Sequence, residues 1–130
     1  MNIGIEDDVN LVYEGRTNYG RAVWPGYTPT PSAVVDKCRE AAAAAISGYI
    51  QKENAGFKPK DLGDLAKEIA AKPHEKLLVS NAAWILARLH SRTKSAETLS
   101  KGLPPPTDED AELSLHCLSS ILRELDFAVG

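Results

Sequence analysis

Apolar residues recur at Ala111, Leu115, Leu118, Leu122 and Leu125. The alternating steps of four and three put all five on one face of an α-helix, a seam that has to be buried against another helix. Thr107 stands ahead of the run as an N-cap, and Asp108, Glu109 and Asp110 set negative charge against the positive end of the helix dipole. A chain with such a seam is expected to fold as a helical bundle.

Helical spacing continues upstream. Tyr27-Thr-Pro-Thr-Pro31 reads as an extended lead-in, because proline fixes its own φ and disfavours the α region for the residue before it. A helix is then predicted from Pro31 or Ser32 to about Glu53, with Val35, Cys38, Ala42, Ile46 and Tyr49 on one face. Ala41–Ala45 favours helix and lets a neighbouring helix come close, and Gly56 is a plausible stop. A short helix follows, capped by Asp61 and striped by Leu62, Leu65, Ala66 and Ile69; it must end near Lys72. Pro73 suits the first turn of a third helix, about residues 74–92. There Leu78, Ala82, Ile85 and Leu89 make one stripe, widened by Leu77, Val79, Trp84 and Leu86. A helix so apolar on most faces is expected to be the central, buried one. Residues 95–106, with Pro104-Pro-Pro106, form the connection to the last helix.

The first 29 residues are of another kind. They hold Tyr13, Tyr19, Trp24 and Tyr27, half of the aromatics, among Gly4, Gly15, Gly20 and Gly26. Val9–Glu14 and Arg21–Trp24 read as short strands, so the segment is expected to be an extended arm or small β-hairpin. The whole chain, residues 1–130, is expected to be a single domain: an arm over 1–29 and a helical bundle over 30–130. At 130 residues it can bury a real core without metal or disulfide staples.

Charge is uneven along the chain. Residues 58–94 carry eight basic and four acidic side chains, whereas residues 95–130 carry two and seven. The net charge of −3 argues against a protein that coats nucleic acid over its whole surface. Two cysteines, no secretory leader and no long apolar run lead to the expectation of a cytoplasmic protein without a membrane span.

The chemistry-bearing residues assemble nothing catalytic. His74, His90, His116, Cys38 and Cys117 show no metal-ligand spacing, so no metal and no cofactor is expected. His116 and Cys117 are neighbours on a helix and point roughly 100° apart. Both cysteines fall near apolar stripes and read as small buried hydrophobes. Glu6-Asp-Asp8 reads as a solvated acidic terminus. No nucleophile, base and oxyanion donor come together, and no enzyme is expected.

Two constellations remain. Tyr13, Arg16, Tyr19, Arg21, Trp24 and Tyr27 are residue types that bury large area with few rotors and keep a polar handle, as binding hot spots do. They predict a surface for another protein, or a contact that caps the bundle or pairs two copies of the chain. Asn81, Trp84 and Arg88 share one helix face that could offer a second contact surface, although a tryptophan so placed is more often part of the core. The leading expectation is thus a non-enzymatic binding protein that occupies a partner's surface: a regulator, an inhibitor of the anti-defence or antitoxin-like kind, or an assembly adaptor. The alternative is a dimeric helix-turn-helix-like DNA-binding regulator using residues 58–94, with Lys67, Lys72, Lys76 and Arg88 on phosphates. Against it stand a connection without a glycine turn and a second helix too apolar to give a face to base edges.

Overall fold

The structure, a computed structural model, describes residues 30–93, 102 and 104–126. Among these residues there are four α-helices and no strand: α1 (Pro31–Glu53), α2 (Leu62–Ala70), α3 (Leu77–Ser91) and α4 (Asp108–Glu124). This is the mainly α bundle the periodicity predicts. The arm or hairpin expected over residues 1–29 lies outside the described residues.

Helix α1 begins as the sequence leads one to expect. Thr30 is extended and its Oγ1 accepts the Ala33 N–H at 3.2 Å, with Pro31 in the first turn. Proline is tolerated there because that N–H has no helical partner anyway. Val35, Cys38, Ala42 and Ile46 are buried and Tyr49 is half-buried. The helix stops at Asn54, whose backbone N–H reaches Ile50 O and whose Oδ1 takes the Gly56 N–H.

Helix α2 starts at Asp61, whose carboxylate accepts the Asp64 N–H at 2.9 Å. Leu62, Leu65, Ala66 and Ile69 are all buried. Helix α4 has a reciprocal capping box: Thr107 Oγ1 accepts the Asp110 N–H at 3.2 Å, and Asp110 Oδ2 accepts the Thr107 N–H at 3.0 Å. Two donors that a helix start leaves unpaired are satisfied at once. Its seam, Ala111 to Leu125, is buried at every predicted position.

Helices α1 and α4 pack on each other, and α3 lies against both α2 and α4. Cross-ties fix the directions. At one end His90 Nδ1 sits 3.4 Å from Asp36 Oδ1, and Arg92 Nη1 sits 3.8 Å from Asp110 Oδ2. At the other end Lys76 Nζ lies 5.8 Å from the Tyr49 ring centre and donates to Glu124 O at 3.5 Å. So α1 and α4 run parallel, with α3 antiparallel to both. Helix α2 is stitched to α3 by a buried hydrogen bond from Ser80 Oγ to Ala66 O at 2.8 Å.

Two sequence expectations are corrected here. Pro73 does not open a helix: the Lys72–Pro73 peptide is cis, and residues 71–76 form a link. In that link the His74 and Glu75 N–H groups both reach Ala71 O, the Lys76 N–H returns to Ile69 O, and Glu75 adopts φ 50°. The chain therefore turns back on α2 and α3 begins only at Leu77. Helix α3 is also not buried all round. Its inward face is Val79, Ser80, Ala82, Ala83, Leu86 and Leu89, while Leu78 and Ile85 of the predicted stripe face outward. The reason is the close approach of α2. A short linker and the Ser80–Ala66 bond draw the two helices together, and small side chains suit that contact better than leucine.

Candidate interaction surface

The outward face of α3 is the most distinctive surface of the bundle. Leu77 is 63% exposed, Leu78 53% and Ile85 39%. With Asn81 and Arg88, both exposed, they share one side of the helix at three- and four-residue spacing. Trp84 stands at the edge of this face, half-buried against the core. Its ring is held from α2: a Cβ built on Gly63 would meet it at 3.4 Å, and Lys67 Nζ lies 6.0 Å from its centre. The indole thus lies within ordinary van der Waals reach of position 63, and the cation lies over its π-face. The result is an apolar face with Lys67 on one flank and Arg88 in its upper part.

The acidic side chains within α2 lie off this edge, while the Asp61 carboxylate that caps the helix sits beside it: a Cβ built on Gly63 would meet Asp61 Oδ1 at 3.5 Å as well as the Trp84 ring. Leu62, Leu65, Ala66 and Ile69 define the buried side, Gly63 and Lys67 turn toward Trp84, and Asp64 and Glu68 fall on the opposite flank. The second exposed apolar spot, Leu113 at 42%, stands alone on α4 among Glu109, Glu112 and His116. Single exposed leucines are common, whereas three on one face of one helix form a patch.

The basic residues predicted for nucleic acid are split by this arrangement. Lys67 and Arg88 border the α3 face, and Lys72 is exposed in the link. Lys76 is on the other side of α3, over Tyr49 and against the end of α4. The structure therefore does not gather the four into one stripe. The aromatic set Tyr13, Arg16, Tyr19, Arg21, Trp24 and Tyr27 lies outside the described residues.

The remaining reactive groups are placed as packing. Cys38 and Cys117 are buried and not joined in a disulfide, and burial pushes the Cys117 thiol up from its ordinary value. His116 is exposed and 4.0 Å from Glu112 on its own helix. His74 stacks edge-on against Tyr49, ring centres 5.7 Å apart. Among the described residues no group of His, Cys, Asp and Glu is arranged to hold a metal, and no helix is long and apolar enough to cross a membrane.

Sequence reasoning missed the outward role of Leu77, Leu78 and Ile85. The signal that separates the faces is size: Ser80, Ala82 and Ala83 mark the side where another helix comes close. Comparison with protein-family models, curated proteins and solved structures finds no match.

Proposed function

We propose that the protein is a non-enzymatic binding protein that occupies the surface of another protein, as a regulator, inhibitor or assembly adaptor. The observation that carries this reading is the α3 face, where Leu77, Leu78 and Ile85 stay in water on a helix whose other side is fully packed. Their combined exposure is equivalent to about one and a half leucines, so covering it offers ~2–5 kcal/mol before the cost of association. That suffices for an anchor but not for tight binding alone. Tyr13, Tyr19, Trp24 and Tyr27, with Arg16 and Arg21, supply the further contact area in this reading.

A second reading is supported by the exposure of Lys67, Lys72 and Arg88: a helix-turn-helix-like contact with DNA through residues 58–94. The apolar middle of the α3 face and the engagement of Lys76 with Tyr49 weigh against it. Capture with tagged full-length protein from native lysate, at low and high salt, separates the two. The first reading expects a protein partner that survives high salt and is lost on Ile85→Asp. The second expects nucleic acid that leaves as salt rises and is lost on a combined Lys67→Glu and Arg88→Glu exchange. Capture unaffected by Ile85→Asp refutes the first.

A further inference from the structure

We propose that the chain's own acidic, apolar N-terminal stretch, Ile3–Leu11, docks on the exposed face of α3 and competes there with the partner. The inference rests on the reading of that face as a binding surface and adds its regulation.

Chemical match is the first argument. Ile3 and Ile5 precede, and Val9 and Leu11 follow, the acidic block Glu6-Asp7-Asp8. The face offers Leu77, Leu78 and Ile85 to the apolar residues, and Lys67 and Arg88 to the carboxylates. The other exposed apolar spot among the described residues, Leu113, is flanked by Glu109 and Glu112, which repel such a segment. Charge thus selects α3 over α4.

Reach is the second. The chain enters α1 at Pro31, at the end of the bundle where Asp36 meets His90, one turn or less from Arg88. From Arg88 to Leu77 the face runs about 17 Å along α3, and the helix is about 10–12 Å across. Residues 12–30 span up to ~60 Å when extended, enough to pass round the end of α3 and lie along its face.

Tethering is the third. A segment joined by a short linker meets its site at an effective concentration on the order of millimolar. A contact too weak to hold a free peptide is then occupied within one molecule. A partner must outcompete it, which sets a threshold on binding.

The test uses the full chain carrying Asn10→Cys and a nitroxide at that cysteine. Cys38 and Cys117 are buried, so brief native labelling selects position 10. The methyl signals of Leu77, Leu78 and Ile85 are expected to lose most of their intensity, and that of Leu113 to keep it. The loss should reverse at about 1 M salt, where the Debye length is about 3 Å, and in a Lys67→Glu, Arg88→Glu chain that keeps its helical circular dichroism. Mixing nitroxide-bearing chain with isotope-enriched chain lacking it should give no loss. Signals that stay sharp, losses centred on Leu113, or losses that appear only in the mixed sample overturn the proposal. Sharp signals together with loss of the partner on Ile85→Asp would sink the docked segment while leaving the binding reading intact.

Discussion

Leu77 and Leu86 lie nine residues apart on α3, and the same substitution at each isolates what the fold does with the helix. Leu86 is fully buried in the core, whereas Leu77 is 63% exposed. Leu86→Ala loses the transfer free energy of its methyl groups and leaves a cavity that the bundle only partly fills, about 2–5 kcal/mol. Leu77→Ala loses only the buried third of a leucine, about 0.5–1 kcal/mol, and alanine is at least as good a helix former. The gap of about 1–4.5 kcal/mol corresponds to roughly 3–20 °C in Tm for a domain of this size. Urea titration followed by circular dichroism at 222 nm gives both values, and an unchanged slope with denaturant confirms that the same transition is compared. Equal losses at the two positions would refute the assignment of inward and outward faces, and with it the interaction surface.

Three further outcomes follow from other parts of the molecule. Thr107→Ala removes half of the α4 capping box and should cost about 1 kcal/mol in the same titration, with Asp110→Ala close behind. Cys117, raised by burial, stays protonated in the folded chain while the unfolded chain begins to ionise near its ordinary value, about 8.5. Its contribution is therefore complete below that pH and is lost as pH rises toward the folded value, so Cys117→Ala should flatten the alkaline fall in stability relative to wild type. Trp24→Ala and Tyr19→Ala are expected to leave the urea midpoint within about 0.5 kcal/mol of wild type and to lose the captured partner. Unfolding by either variant would show instead that these aromatics belong to the core.

The sequence spoke most clearly where one signal had one physical outcome. Thr107 ahead of Asp108-Glu-Asp110 and Asp61 with Asp64 each predict a helix start, and both caps are formed; Pro31 predicts the start of α1, where Thr30 supplies the cap. The α4 seam was legible because Ala111, Leu115, Leu118, Leu122 and Leu125 keep four- and three-residue steps while Glu109, Glu112, His116, Ser120 and Arg123 make the opposite side largely polar. In α3 that contrast is missing. Leu77-Leu-Val-Ser-Asn-Ala-Ala-Trp-Ile-Leu86 offers an apolar residue in almost every direction, and periodicity cannot choose among faces. The choice is made by tertiary contact: Ser80 bonds to Ala66 O, Ala83 meets the core, and the large Leu78 and Ile85 are turned out. The surface is therefore visible only once α2 is placed. Pro73 misled for a related reason. Proline suits a helix's first turn and also a tight link, and the backbone bonds from His74, Glu75 and Lys76 back to Ala71 and Ile69 favour the link.

The central claim is that a protein partner covers the outward face of α3. Methyl spectra of the full chain, recorded with and without its captured partner, test it most directly. The account predicts that Leu77, Leu78 and Ile85 shift on binding while Leu86, Leu115 and Leu118 hold their positions. Shifts that spare all three α3 surface residues and fall elsewhere on the bundle would contradict it.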